Sequence, residues 1–137
     1  MLDRDRPIAA MTAYCEADAQ PPVVRRWIIH CMFNRMRLNP IRYGSTVAAV
    51  CLKRAQFSEW NGDVVNNRNL ERAASSPGTD LILLDCAAAY DEIEGGAPDP
   101  TGGGTHFYDE SIPKPYWTDK ATFCGKQGTT MFWKGVP

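Results

Sequence analysis

The sequence has little of what several classes of functional site require. It contains only two histidines, His30 and His106, and its five cysteines include no Cys-x-x-Cys pair. A zinc site built from closely spaced ligands is therefore not expected, and we predict no metal and no cofactor. A Ser-His-Asp hydrolase is not indicated either, because the chain has no Gly-x-Ser-x-Gly turn.

The sequence also lacks a strong net charge and a long apolar run. Fifteen basic and sixteen acidic side chains give a formal net charge of −1, so bulk electrostatics favour neither nucleic acid nor an anionic membrane. No window approaches the run of about eighteen apolar residues that spans a bilayer, and the charged start MLDRDRPIAAM does not resemble a secretion signal. We expect one domain over residues 1–137, with no nucleic-acid partner and no membrane insertion.

The cysteines lie mostly within apolar helical segments, where a free thiol behaves as a small hydrophobic group. Their odd number and wide spacing indicate reduced thiols, and hence synthesis in a cytoplasm. A Cys-His hydrolase is not favoured, because no cysteine has the polar or cationic neighbours that activate a thiol. The five are Cys15, Cys31, Cys51, Cys86 and Cys124.

Apolar periodicity and helix-end signals predict a mainly α (α+β) fold. In the second helix, Arg25 and Arg26 are expected on the side away from the apolar face. After Gly96 the sequence is rich in turns, and two short strands are expected to form a small β-hairpin near the C-terminal end. The predicted helices are 5–17 (capped by Asp5), 22–37, 45–54 (capped by Ser45), 66–75 and 80–94 (capped by Thr79), and the predicted strands are 105–109 and 129–133.

The stretch AYCEADAQPP places Glu16 at the end of the first predicted helix. A glycosidase needs an acid that protonates the bridging oxygen of the leaving sugar, and glutamate does this when an apolar setting raises its pKa. Tyr14 and Cys15 provide apolar neighbours, and the negative end of the helix dipole favours the protonated form. From the local sequence alone, an exposed charge near a helix end is the simpler interpretation.

Two later segments carry groups suited to binding a sugar. The loop at 55–63 combines polar side chains with flat aromatic faces. In PDPTGGGTHFY, three successive glycines let the backbone come close to a ligand, so that the residues after them could face a cleft. Aromatic residues that fill the core, and a simple entry to a hairpin, are the alternative explanations. The candidate substrate-binding residues are Gln56, Phe57, Ser58, Thr105, His106 and Tyr108.

These segments, in this order, resemble the cell-wall hydrolase family that includes the bacterial spore cortex-lytic enzymes. That family has a helix ending in a motif like E-A-R-G-E-P, a helix ending in N-R, a Q-F-S loop, a D-P-T-G-G-A loop and a closing G-x-H-x-F. The resemblance runs from about residue 8 to residue 134. The counterparts here are Glu16 to Pro21, Asn34-Arg35, Gln56-Phe57-Ser58, Asp99 to Gly104, and Gly128 to Phe132.

The resemblance implies a lysozyme-like domain in which Glu16 faces a groove for glycan strands. The implied activity is cleavage of the β-1,4 bond between N-acetylmuramic acid and N-acetylglucosamine in peptidoglycan. Lytic transglycosylases of this type need one carboxyl group, because the substrate's own 6-hydroxyl attacks, whereas a muramidase needs a second one roughly 5–9.5 Å away. The one-glutamate mechanism is preferred, because the candidates for a second carboxylate have little support. They are Asp18, Glu59, Asp63 and Asp99.

Several positions depart from the family pattern, and Asp18-Ala19 replaces its Arg-Gly pair. Gln20 stands where the family has a second glutamate, and Thr130 stands where it has a histidine. A non-catalytic wall-binding or virion protein with the same fold is therefore an alternative, and a peptidoglycan amidase or peptidase is another.

The context suggested by the sequence is a bacteriophage endolysin. A catalytic domain with no leader and with reduced cysteines would accumulate in the host cytoplasm, and we expect a monomer. It would reach the cell wall once a holin opens the membrane.

Overall fold

The computed structural model describes residues 4–53 and 80–137. Within them, α-helices come first and a three-stranded antiparallel sheet follows, which confirms the predicted mainly helical fold. The predicted helix at 66–75 and the segment Gln56-Phe57-Ser58 lie outside the described residues. The elements are α1 (Asp5–Ala17), α2 (Pro22–Leu38), α3 (Pro40–Tyr43), α4 (Val47–Leu52), α5 (Leu81–Glu94), β1 (His106–Asp109), a 3₁₀ helix (Tyr116–Lys120), β2 (Thr122–Gln127) and β3 (Thr130–Lys134).

Two helix caps differ from the predicted ones. Asp5 lies in the first turn of α1 and does not cap it, and its carboxylate instead accepts a hydrogen bond from the backbone N–H of Ala48 at 2.9 Å. At α4, Thr46 is the cap and Ser45 is not, because the Thr46 hydroxyl oxygen accepts from the backbone N–H of Ala49 at 3.0 Å. Asp5 therefore joins α1 to α4.

Asp80 caps α5 and also connects it to α1. One carboxylate oxygen accepts hydrogen bonds from backbone N–H groups in the first turn of α5, and the other accepts from the hydroxyl of Tyr14 at 3.0 Å. Thr79, the predicted cap, lies outside the described residues. Because Tyr14 is two residues before Glu16, this contact fixes the last turn of α1 against α5.

The core lies between α1, α2 and α5, and α4 packs against α1 and α2. α1 supplies small buried residues such as Ala9 and Ala13, which let neighbouring helices come close. The apolar side of α2 is buried as predicted, through Val24, Trp27 and Ile28. No helix in the described ranges is long and apolar enough to cross a membrane.

Arg25 is buried, so its predicted place on the outer side of α2 is wrong. It is 4% exposed, and its Nη1 donates to the backbone oxygens of Ala17 at 3.1 Å and Gln20 at 2.8 Å. Its Nη2 lies 3.4 Å from the carboxylate of Asp85. The last carbonyls of a helix have no partners within it, and α1 has no basic residue in its last turn. Arg25 therefore caps α1 from the neighbouring helix.

The β element is a three-stranded sheet in which the two predicted strands form β1 and β3. The missed strand, β2, pairs with the other edge of β3, so the tight hairpin joins β2 to β3. Phe132 in β3 is fully buried and packs on Trp27 of α2, with ring centroids 5.1 Å apart. At Gly125 in β2, a Cβ would lie 3.2 Å from the Trp27 ring, so this glycine lets the sheet approach α2.

Gln20 joins the α1–α2 connection to the β2–β3 turn. Its side-chain oxygen accepts a hydrogen bond from the backbone N–H of Thr129 at 3.0 Å, and its side-chain nitrogen donates to the hydroxyl of Thr130 at 3.0 Å. Gly128, in the same turn, has a φ of 57° and packs directly against this amide. The turn is therefore fitted closely to the end of α1.

Gly128→Ala is expected to lower the free energy of unfolding by about 2–4 kcal/mol, because crowding adds to the strain of a left-handed backbone. A Cβ there would lie 2.7 Å from Gln20 Oε1 and 3.0 Å from Val24 Cγ2. Gly102→Ala is the matched control: its φ is +65° and no atom lies within 4 Å, so only about 1 kcal/mol of strain is expected. Urea denaturation measures both, and equal losses would contradict close packing of the turn on Gln20.

Candidate active site

Glu16 is half-buried in the last turn of α1, and its electrostatic surroundings include Arg35 of α2. Arg35 is 5% exposed. Burial lowers the pKa of its guanidinium, and the negative charge of Glu16 acts in the opposite direction. Arg25 adds a second cation next to this helix end, on the carbonyl of Ala17. The sequence suggested that the negative C-terminal end of the α1 dipole would act on Glu16. In the structure the buried guanidinium of Arg25 lies at that end of the helix.

Arg35 connects Glu16 to the start of β1. Its Nε donates to the backbone oxygen of Thr105 at 2.5 Å, and its guanidinium carbon lies 5.8 Å from the centroid of the Tyr43 ring. Tyr43 is itself 5% exposed. The buried Arg35 side chain therefore interacts with the end of α1, with α3 and with the residue before β1. The N-R motif pointed to Arg35 only as part of a resemblance, and Tyr43 had no signal in the sequence.

The glycine-rich loop is organised by Asp99. One carboxylate oxygen accepts from the backbone N–H and the hydroxyl of Thr101, at 2.8 and 2.7 Å. The other accepts from the backbone N–H of Gly103 at 3.0 Å and from Asn34 Nδ2 at 2.9 Å. Asn34 also donates to the backbone oxygen of Gly104 at 2.9 Å, so it ties the loop to α2 beside Arg35. Asp99 acts as the loop cap that its place before Pro100 predicts.

These contacts fix the charge of Asp99. Partial burial of the carboxyl raises its pKa, but the hydrogen bonds from Thr101, Asn34 and Gly103 outweigh that effect, and the pKa is lowered from its ordinary value. His30 lies nearby, with Nδ1 3.7 Å from Asp99, and burial lowers the pKa of this imidazole. His30 is 5% exposed, consistent with the structural role predicted for it.

Thr105 and His106 form a connected pair at the start of β1. Thr105 is 3% exposed, and its hydroxyl lies 2.8 Å from His106 Nδ1, so it orients the imidazole. Burial, together with the charges of Arg35 and Arg42, lowers the pKa of His106 to about 3. The ring is therefore neutral at physiological pH and can offer a hydrogen bond but no positive charge.

Tyr108 lies on the same face of the sheet as His106, opposite the face that packs on the core. Trp117 of the 3₁₀ helix covers this face, with its ring centroid 5.3 Å from His106, 5.9 Å from Tyr108 and 6.4 Å from Trp133. The structure thus brings His106 and Tyr108 together under Trp117, a residue whose role had no signal in the sequence. Gln56, Phe57 and Ser58 stay predictions, because they lie outside the described residues.

Two of the departures from the family pattern, Gln20 and Thr130, are in direct contact. The Thr130 hydroxyl lies 3.0 Å from the side-chain nitrogen of Gln20 and 3.1 Å from its side-chain oxygen. Thr130 is 3% exposed, and the amide of Gln20 is also bonded to Thr129. The side chain of Gln20 is therefore used in fastening the turn.

Three of the five cysteines have thiols that their surroundings make less acidic than usual. None of the five cysteines is in a disulfide, and burial raises the pKa of Cys86 to about 12 and also raises that of Cys31. The pKa of Cys124 is also raised by burial. Within residues 4–53 and 80–137, no group of three or more His, Cys, Asp or Glu residues is placed to hold a metal ion.

Comparison with known families accounts for most of the chain. Residues 20–133 match the cell wall hydrolase family. The chain belongs to the cell wall hydrolase family. The match begins at residue 20, after Glu16, so the family match does not itself assign a role to Glu16. No curated protein sequence shows significant similarity to this cell wall hydrolase.

Solved structures share the fold of this cell wall hydrolase. One is the catalytic domain of the germination-specific lytic transglycosylase SleB from Bacillus anthracis, with a TM-score of 0.67 and 18% identity over 98% of this chain and 97% of that one. Another is the catalytic domain of the SleB protein from Bacillus cereus, with a TM-score of 0.65 and 17% identity over 95% of this chain and 89% of that one. At these identities the likeness establishes the fold.

Asp99→Asn is expected to lower the free energy of unfolding at pH 7 by about 1–3 kcal/mol, because a charged acceptor becomes a neutral amide. The folded-state pKa of Asp99 lies below its ordinary value. Its contribution is therefore complete above about pH 4 and is lost as the pH falls through the folded-state pKa. Urea denaturation from pH 7 to about pH 2.5 should show the difference between the wild type and the variant shrinking.

Glu94→Gln is the control for this series, because Glu94 is an exposed carboxylate at the end of α5. It is expected to change the stability by less than about 0.5 kcal/mol. A loss in Asp99→Asn that stays constant down to about pH 2.5 would contradict the role assigned to the Asp99 carboxylate.

Proposed function

We propose that this cell wall hydrolase cleaves the glycan strands of peptidoglycan at the β-1,4 bond between N-acetylmuramic acid and N-acetylglucosamine, with Glu16 as the general acid. The observation that carries the proposal is the half-buried Glu16 at the end of α1, whose charge acts on the buried Arg35, and Arg35 is bonded to the residue before β1. Family membership supports degradation of the cell wall, and the described activity of the Bacillus anthracis neighbour, a lytic transglycosylase, favours glycan cleavage.

A one-carboxylate mechanism fits the described residues best. Both oxygens of Asp99 are occupied by hydrogen bonds within its own loop, which does not suit a second catalytic carboxylate. Asp18 is two residues after Glu16 at the helix end, and positions two apart on a helix do not share a face. The other two candidates, Glu59 and Asp63, lie outside the described residues. Support for a two-carboxylate muramidase is therefore weaker.

The proposed reaction balances with one glutamate. The carboxylic acid of Glu16 donates its proton to the bridging oxygen, and the bond from that oxygen to the anomeric carbon of N-acetylmuramic acid breaks. The 6-hydroxyl oxygen of the same sugar then attacks the anomeric carbon, and the Glu16 carboxylate takes the hydroxyl proton. The product is a 1,6-anhydro sugar, no water is consumed, and Glu16 returns to its starting form.

Arg35 acts in this scheme as a positioning residue. Its guanidinium is held by the carbonyl of Thr105 and the face of Tyr43, so its charge stays in one place near Glu16. A fixed cation stabilises the carboxylate that forms when Glu16 gives up its proton, because charges interact strongly where water is largely excluded. His106, which is neutral, is suited to hydrogen-bonding the substrate.

Glu16→Gln is expected to reduce the release of soluble muropeptides from purified sacculi by about 100-fold or more, because the proton donor is lost. Circular dichroism checks that the variant is folded. Glu94→Gln, which makes the same chemical change at an exposed site, is the matched control and should retain wild-type activity. Full lytic activity in Glu16→Gln would show that Glu16 is not the general acid.

Mass spectrometry of the wild-type digest distinguishes the alternatives. Anhydro-muramyl ends are expected for the proposed mechanism, whereas reducing sugar ends would indicate a two-carboxylate muramidase. Cut stem peptides would indicate an amidase or peptidase. A protein that sediments with sacculi and releases nothing would be a non-catalytic wall-binding or virion protein.

We further propose that the protein acts as a bacteriophage endolysin, made in the host cytoplasm and released to the cell wall by a holin. The supporting observation is that none of the five cysteines is in a disulfide and four of them are buried, which suits synthesis in a reducing compartment. The endolysin role is independent of which sugar end the reaction leaves.

Production in the cytoplasm of a Gram-negative host is expected to leave culture density unchanged until the inner membrane is opened. Co-expression of a holin, or addition of chloroform, should then cause rapid lysis, because the enzyme gains access to its substrate. The Glu16→Gln variant serves as the control for membrane opening alone. Lysis on induction without membrane opening would contradict dependence on a holin.

A further inference from the structure

The last turn of α1 is fastened on both sides of Glu16. Two residues before Glu16, the hydroxyl of Tyr14 donates to Asp80 at the start of α5. One residue after it, the backbone oxygen of Ala17 accepts a hydrogen bond from Arg25 Nη1 at 3.1 Å. Because the backbone is held before and after Glu16, the direction in which this side chain leaves the helix is fixed.

Arg25 is a buried cation whose charge is only partly compensated. It is 4% exposed, and its pairing with a carboxylate among the described residues is with Asp85, 3.4 Å from Nη2. Its Nε is also buried, and within residues 4–53 and 80–137 this N–H has no hydrogen-bond partner. Burying a charge in this way is costly, so its presence at the end of α1 points to a role beyond packing.

The charge of Arg25 provides what α1 itself lacks. The last turn of α1 has no basic residue, and Asp18 stands where the family pattern has an arginine. The open carbonyls at the end of a helix carry a partial negative charge, which disfavours a carboxylate nearby. A cation bonded to those carbonyls offsets this effect, and it favours the carboxylate that Glu16 becomes when it gives up its proton.

We propose that Arg25, held in place by Asp85, is a positioning residue for Glu16, which fixes the backbone next to it and supplies a permanent positive charge at that end of α1. The inference rests on the proposed function, because it takes Glu16 as the general acid. Arg25 is buried and so acts through Glu16 and not on the substrate. Its planar guanidinium reaches the carbonyls of Ala17 and Gln20 and the Asp85 carboxylate together, which a lysine cannot do.

Asp85→Asn tests the charge while it keeps the size of the side chain. The variant leaves Arg25 without its carboxylate, so the ionised form of Glu16 is favoured more strongly than in the wild type. Arg26, which also lies near Asp85, keeps its ion pair with Glu92. The Glu16 carboxyl carbon is titrated by ¹³C NMR, and its signal is assigned by its loss in Glu16→Gln. We expect the midpoint to move to lower pH by about 0.5 unit or more.

Other charged groups near this end of α1 are the same in the variant and the wild type. They are Asp18 after the helix, Arg35 on α2 and Asp80 at the start of α5. A shift of the Glu16 midpoint in Asp85→Asn therefore reports the balance of charge between Arg25 and residue 85. A purely structural role of Arg25 would leave this midpoint unchanged.

Arg25→Lys tests the positioning, because it keeps the charge and loses the planar group that holds two carbonyls. On purified sacculi, the kcat for release of soluble muropeptides is expected to fall about tenfold. The KM is expected to stay unchanged, because Arg25 is buried and does not meet the substrate. Initial rates at a series of sacculus concentrations separate the two constants, and thermal melts check that the variant is folded.

Arg6 and Asp91 provide matched controls at the opposite end of α1. Their side chains also pair with each other, with Arg6 Nε 2.9 Å from Asp91, but both are about half exposed. Asp91→Asn and Arg6→Lys make the same chemical changes there, and both should keep the wild-type midpoint of Glu16 and the wild-type kcat. An unchanged midpoint in Asp85→Asn, or a wild-type kcat in Arg25→Lys, would overturn the inference.

The inference and the proposed function fail separately, because the NMR midpoint does not depend on activity. If Glu16→Gln still digests sacculi while the midpoint moves in Asp85→Asn, Glu16 is not the general acid and the effect of Arg25 on its charge stands. If Glu16→Gln is inactive while Asp85→Asn and Arg25→Lys behave as the wild type, the positioning role is wrong and the catalytic assignment stands.

Discussion

The burial of the Arg35 guanidinium is the constraint on which the arrangement of the candidate active site depends. A charge that is 5% exposed is costly unless its surroundings compensate it. Here the compensation includes the Thr105 carbonyl, the face of Tyr43 and, whenever Glu16 is ionised, the negative charge of its carboxylate. Because these groups belong to three separate elements, satisfying one guanidinium places the ends of α1, α3 and β1 together.

Gln20 and Thr130 are best understood as one change. In the family pattern these positions hold a glutamate and a histidine, and here they hold an amide and a hydroxyl that are 3.0 Å apart. An amide can donate to and accept from neighbouring groups, so Gln20 bonds to both the backbone and the side chains of the turn. Gln20 and Thr130 therefore both serve to hold the β2–β3 turn against the end of α1. They are one structural change, so they do not provide two independent arguments against catalytic activity.

The sequence predicted the elements whose signals are local. The periodicity of α1 and α2, the glycines after α5 and the loop-capping role of Asp99 all depend on neighbours in the chain. Arg25 was misplaced because its reason for burial, the open carbonyls at the end of α1, belongs to another helix. The sequence did not predict β2 because Gly125 has no side chain and so interrupts the alternation of apolar and polar residues that indicates a strand. The reason for a glycine there is the Trp27 ring of α2, which leaves no room for a Cβ.

The candidate site was predictable only in part, for the same reason. Glu16 and His106 could be named from their segments, but the residues that connect them could not. Tyr43 and Trp117 come from α3 and the 3₁₀ helix, and nothing in their own segments indicates that they meet at β1. Contacts between residues of separate segments leave no pattern in any one of those segments, so they can be found only after the chain is folded.

The protonation states around the site narrow the choice of proton donor. Hydrogen bonds lower the pKa of Asp99, so it is ionised at physiological pH, and burial with two nearby cations keeps His106 neutral. Burial keeps the thiols of Cys31 and Cys86 protonated. Each of these groups is held in one state over the range in which an enzyme works, and a group held in one state cannot pass a proton back and forth. These protonation states support the proposal that Glu16 makes the transfer to the bridging oxygen, with Arg35 stabilising the carboxylate that the transfer would create.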